Sequence, residues 1–159
     1  LTNATHLASP PLQRALPILD AHNGEIWAKL DAGTEAFFRR VNRPGGDLTL
    51  ARIVRGITGV AQGRPVVIQT LFFRHDGAAP PGEEIDAYVA RLAEIVRAGG
   101  RIKLVQLHTV ARPPAEASVA RLGDDELNAI AGRVRQALPD VPVETFPGQE
   151  VRPQREASG

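Results

Sequence analysis

The stretch Lys29-Leu30-Asp31-Ala32-Gly33-Thr34-Glu35 closes a short apolar run and continues Ala36-Phe37-Phe38-Arg39-Arg40-Val41-Asn42-Arg43-Pro44. Charged side chains are seldom fully buried unless paired, so a lysine and an aspartate at the end of a buried strand need a reason to be there. In a βα unit the carboxyl end of the strand is where ligand-handling groups collect. Gly33 permits a sharp turn behind them, and Thr34 can cap a following helix. The segment therefore reads as strand, functional turn and capped helix.

Working outward, the same rhythm repeats. Upstream, Ser9 and two prolines open a helix over 9–20, with Leu12, Ala15, Leu16 and Leu19 at helical spacing and Pro17 inside the pattern. His22-Asn23-Gly24 marks a turn. Glu25 to Leu30 is a short buried strand. Downstream, Thr34 to Val41 is a helix broken by Arg43-Pro44-Gly45-Gly46. Asp47 is placed to cap a helix over 48–62, whose Leu50, Ile53, Val54, Ile57 and Val60 form one apolar face. A strand over 66–73, a helix over 83–98 and a strand over 102–110 follow. After a loop over 111–122, Asp124-Asp125-Glu126 places acids at the favourable end of a helix reaching about Leu138. A last short strand covers 141–146. The tail, 149–159, is polar and breaker-rich and is expected to be flexible.

Alternation of this kind predicts an α/β fold with a mostly parallel sheet covered by helices. No strand-to-helix turn carries a G-x-G-x-x-G pattern, and there is no P-loop, so a partial (βα) TIM-like barrel fits better than a dinucleotide-binding fold. The 159 residues, 43% of them apolar, suffice for one domain, 1–148, ahead of the tail. A net charge of +1 gives no electrostatic case for nucleic acid. The absence of cysteine removes disulfides, thiolate metal sites and cysteine nucleophiles from this chain. No apolar run is long enough for a membrane span and nothing resembles a secretory signal, which suggests a cytoplasmic protein. The chain has no methionine, and Leu1 to Thr5 reads as the end of a strand whose start is missing. The sequence is therefore expected to be a piece of a longer protein.

In a barrel, the carboxyl ends of the strands would present Asn3, Lys29 and Asp31, then Gln69 and Arg74, then Gln106, His108 and Arg112. Gln69 interrupts an apolar strand. Gln106 and His108 alternate with Val105, Leu107 and Thr109 and so share a face. Each has an ordinary explanation. A strand glutamine commonly satisfies nearby backbone, and a lone histidine is more often a hydrogen-bonded core residue than a metal ligand. Arg39 and Arg40 suit a solvated helix face, and Arg112-Pro113-Pro114 could be a rigid loop exit. It is the convergence of these residues that points to a polar, ligand-holding cavity.

The chain resembles the later part of radical S-adenosylmethionine (SAM) proteins, in particular the group related to the wyosine-synthesis enzymes of transfer-RNA modification. Thr2-Asn3, the 29–35 turn, Phe38-Arg39-Arg40-Val41-Asn42-Arg43-Pro44 and Val105-Gln106-Leu107-His108-Thr109-Val110-Ala111-Arg112-Pro113-Pro114 carry the resemblance, which extends over roughly 1–148. It implies a partial barrel in which SAM is reductively cleaved at a 4Fe–4S cluster to a 5′-deoxyadenosyl radical. It implies that Asn3, Lys29, Asp31 and Gln69 face SAM, and that Gln106, His108 and Arg112 face a substrate. The family holds its cluster with a C-x-x-x-C-x-x-C loop that this chain lacks. Either the N-terminal half of the barrel is the missing partner, which the start at Leu1 and the absent methionine favour, or the chain is a degenerate homologue. Two other readings stay open: a non-catalytic α/β domain that binds a ligand or partner, and a barrel lyase using Lys29 as a Schiff-base amine.

Overall fold

A computed structural model describes residues 1–7, 9–112 and 114–148. The elements run α1 (Pro10–Ala21), β1 (Ile26–Lys29), α2 (Glu35–Asn42), α3 (Leu50–Gly63), β2 (Val66–Leu71), β3 (Arg74–His75), α4 (Gly82–Arg97), β4 (Ile102–His108), β5 (Val119–Ala120), α5 (Asp124–Ala137) and β6 (Val143–Phe146). β1, β2, β4 and β6 form a parallel sheet in that spatial order. This is the α/β, barrel-like architecture expected from the sequence. The expected flexible tail, 149–159, lies outside the described residues.

Strand order decides the architecture. A doubly wound sheet reverses direction at a switch point and carries helices on both faces. Here every new strand is added on the same side as the last. Right-handed crossovers then put α3, α4 and α5 on one face and leave the other face free of them. Burial follows this division. On the helical side Ala28, Ile68, Val105 and Leu107 are fully buried against Ile57, Leu92, Ile95 and Val134. Burying a side chain of this size contributes about 1.5–3 kcal/mol. Tyr88 of α4 reaches the same layer, where its hydroxyl meets Thr70 Oγ1 at 2.6 Å and Thr70 in turn donates to the Leu30 carbonyl.

Several local expectations need correction. Asp47 does not cap α3: Thr49 does, accepting from Arg52 N at 3.2 Å, while Glu35 of α2 accepts from Leu50 N at 2.7 Å. A hydroxyl directly before the helix outcompetes a carboxylate two residues earlier. Ser9 occupies the N-cap position of α1 without making a side-chain cap, and the helix runs on through Pro17. The strand expected around Thr2 is a single parallel bridge to Ala28. The loops after β2 and β4 contain a short antiparallel ribbon, β3 with β5, that sequence periodicity did not reveal. Among the described residues, no helix is long and apolar enough to cross a membrane.

Candidate functional site

Register places the polar strand residues in one line. Lys29 lies beside Gln69, Gln69 beside Gln106, and Gln106 beside Glu144. One step further along the strands, Leu71, His108 and Phe146 form the next row. Thr70 turns to Tyr88 of α4, and Thr145 turns to Asn128 of α5. Side chains alternate along a strand, so their neighbours Gln69, Leu71, Glu144 and Phe146 project from the helix-free face. A four-residue polar row across the middle of a sheet would be costly against a packed layer, but it suits a surface that holds a ligand.

The β1 end of the row is held by the turn quoted first. Asp31 is 6% exposed. One of its carboxylate oxygens accepts from Leu71 N at 2.9 Å; the other accepts from Asn42 Nδ2 at 3.1 Å and lies 3.3 Å from Lys29 Nζ. The aspartate thus ties the tips of β1 and β2 together and steadies the lysine. Asn3 and Lys29 line a cavity of about 640 Å³ between the N-terminal segment, the end of α2 and the start of α3, which Arg43, Asp47 and Arg52 also border. A smaller recess reaches from Asn3 and Lys29 to Asp31 and Asn42. The structure brings Asn3, Lys29 and Asp31 together.

The turn is locked from behind. Glu84 of α4 is 2% exposed, and its carboxylate accepts from Gly33 N at 2.5 Å, from Thr34 N at 3.2 Å and from Thr34 Oγ1 at 2.6 Å. Thr34 meanwhile caps α2, accepting from Phe37 N. A single buried acid therefore satisfies the donors of the turn that aims Lys29 and Asp31.

On the other half of the face, Gln69 Nε2 lies 3.3 Å from His108 Nε2, and Gln106 Oε1 lies 3.5 Å from the same nitrogen. Gln106 Nε2 donates to Glu144 at 3.4 Å. The His108 ring stacks on Phe146 with centroids 4.4 Å apart and planes 6° from parallel. Burial holds the His108 imidazole below its ordinary titration range. The native state therefore binds fewer protons than the unfolded chain as pH falls through about 6.5, so this residue's contribution is destabilising below that value and absent above it. An NMR titration of the His108 ring should show a midpoint below about 6.5; a midpoint at or above that value would remove the burial argument.

Two of the sequence candidates stand elsewhere. Arg74 is not part of the row: it pairs with Glu126 at the start of α5 and donates to the Gly77 carbonyl. Arg112 is exposed in the bend after β4 and makes no hydrogen bond or ion pair among the described residues. Sequence reading missed Glu144 and Phe146. Alternation in Val143-Glu144-Thr145-Phe146 would have put both on one face, but only the β4–β6 register shows which neighbours they meet. It also missed Glu84, which reads as one more acid in a helix's first turn. The loop after β4 reaches across to α2, where Glu116 takes Arg43 in a two-pronged pair with both contacts at 2.9 Å.

Among the described residues, no group of three His, Cys, Asp or Glu side chains could hold a metal ion. With no cysteine in the chain, the residues present do not fit an iron–sulfur cluster. Comparison with known proteins gives no matching family model and no matching curated sequence. Among solved structures, the chain is similar to a radical SAM methyltransferase from Sphaerobacter thermophilus, with a TM-score of 0.52 and 18% identity. The likeness covers 82% of this chain and 37% of that one. At that identity what is shared is the fold.

Proposed function

We propose that this chain forms the later strands of a radical SAM barrel, in the group related to wyosine synthesis, and that its strand ends hold SAM and substrate. The observation that carries the reading is the register row Lys29–Gln69–Gln106–Glu144 toward the carboxyl ends of four sequential parallel strands, with His108 beside it and Lys29 opening into the cavity bordered by Asn3, α2 and α3. Asn3 and Lys29 offer donors suited to the carboxylate of SAM, and Asp31 shapes the same pocket by holding Lys29 and the tip of β2. Gln69 borders that group on the next strand. Gln106, His108 and Arg112 serve the substrate. Reductive cleavage of SAM is the chemistry supplied when the cofactor is bound at a cluster, and the cluster ligands belong to residues outside these 159. Cytoplasmic work is part of the same reading, since a reduced centre suits a reducing compartment.

The test extends the reading frame upstream of Leu1, reconstitutes the longer protein anaerobically with iron and sulfide, and measures 5′-deoxyadenosine formed from SAM under reduction. Product is expected, and Lys29→Met should lower SAM affinity by roughly tenfold or more, as loss of a charge-assisted contact does. A longer protein that holds no cluster and leaves SAM intact would return the chain to the reading of a non-catalytic α/β binding domain. The Schiff-base reading has less support, because the Lys29 amine is engaged with Asp31.

A further inference from the structure

Two residues of β6, Glu144 and Phe146, have no task in the function proposed above. Glu144 is exposed, and among the described residues no cation pairs with it. Its one hydrogen bond there comes from the neutral amide of Gln106 at 3.4 Å. Several other acids are matched, Glu25 with Lys103, Asp31 with Lys29, Glu116 with Arg43 and Glu126 with Arg74, although Glu83, Asp125 and Asp140 likewise have no cation among the described residues. Phe146 is 39% exposed, although one side of its ring lies on His108.

The groups around this pair add acceptors. Gln106 spends its amide nitrogen on Glu144 and turns its oxygen toward His108. Gln69 turns its nitrogen toward His108, and its own oxygen has no partner among the described residues. A carboxylate with no cation among the described residues, an amide oxygen and an exposed ring together call for a group that brings donors and positive charge. Lys29 stands at the opposite end of the row. The row is therefore polar from end to end, running from the Lys29–Asp31 ion pair at β1 to the Glu144 carboxylate at β6.

We infer that the β4–β6 half of this face is a cation subsite that takes a protonated amine or amidinium group of the substrate, with Glu144 as its counter-ion and Phe146 as its aromatic wall. The inference rests on the reading of this face as the substrate side of the site. Glu144 acts here as a specificity-determining residue: it admits the cation and disfavours a carboxylate or phosphate in the same place.

The test uses benzylammonium chloride, titrated into the 159-residue chain and followed at the His108 and Phe146 ring protons by NMR. Benzyl alcohol, with the same ring and no charge, and benzoate are the comparisons. Benzylammonium is expected to give a saturable shift at both rings, with benzyl alcohol roughly tenfold weaker and benzoate silent. Glu144→Gln should weaken benzylammonium by roughly tenfold and leave benzyl alcohol unchanged. The parent's His108–Phe146 ring-current shifts, preserved without probe, show that the variant keeps the stack. Absence of a saturable shift, equal binding of the alcohol, or a Glu144→Gln variant that binds benzylammonium as tightly as the parent would overturn the subsite. The probe needs neither SAM nor a cluster. Amine binding without 5′-deoxyadenosine production would remove the radical SAM reading alone, and the reverse pattern would remove the subsite alone.

Discussion

Glu84→Ala should cost about 3–5 kcal/mol of stability, the range for removing one partner from a buried, charge-assisted cluster. Three donors lose their acceptor together: Gly33 N, Thr34 N and Thr34 Oγ1. Water reaches this place poorly, because the glutamate is 2% exposed and Tyr88, one turn further along α4, is fully buried. A domain of this size holds only about 5–15 kcal/mol in total, so the variant should be partly unfolded at moderate urea. Glu83→Ala is the matched control. It sits in the same helical turn, is exposed, and should stay within about 0.5 kcal/mol of the parent. Urea midpoints for the two variants decide the matter; if they coincide, the carboxylate does not lock the turn.

Gly33→Ala should cost about 3 kcal/mol or more, at the upper end of what overpacking does. A Cβ at this position would lie 2.0 Å from Tyr88 N, 2.5 Å from Ala87 C and 2.7 Å from Glu84 O. All three are backbone atoms of a helix, and none can swing aside as a side chain would. Either the turn or α4 must move. If α4 moves, the Tyr88–Thr70 contact opens; if the turn moves, Asp31 loses its hold on Leu71 N and Lys29. The substitution should therefore damage the site as well as stability. Gly59→Ala and Gly132→Ala place the same methyl in open space within α3 and α5 and should be neutral or stabilising by up to about 1 kcal/mol. A Gly33→Ala protein that melts with the parent would show that the turn is looser than its packing implies.

The 29–35 turn was legible because its information is local. A charged pair, a glycine and a capping threonine sit side by side in the chain. The Lys29–Asp31 pair and the Thr34 cap each form within a few residues, although the same residues also meet Leu71 and Glu84 far along the chain. The helices were legible for the same reason, since their apolar stripes recur within a single turn. Glu84 was not legible, because its partners lie 50 and 51 positions upstream and nothing near it in sequence differs from an ordinary helix start. Arg74 was misplaced in the same way: its position after a strand suggested the ligand face, while its actual partner, Glu126, is 52 residues away. The ribbon of β3 and β5 has only two residues per strand, too few for a period to show. Lys29, Gln69, Gln106 and His108 could be picked out as odd residues in apolar strands. That they form rows with Glu144 and Phe146 is a fact of register, which the sequence does not carry on its own.

The one-directional strand order also bears on how the molecule assembles. Each crossover joins a strand to the one just made, and contacts such as Leu30–Thr70, Gln69–His108 and Gln106–Glu144 span 40, 39 and 38 residues. No strand has to be inserted between two that are already in place. The sheet can grow at its newest edge as the chain leaves the ribosome, with a similar loop-closure cost at each addition. β6 is then the last of these four strands to arrive. The Lys29 end of the polar row stands ready while the chain is still being made, and its Glu144 end is fitted only when synthesis has passed Phe146.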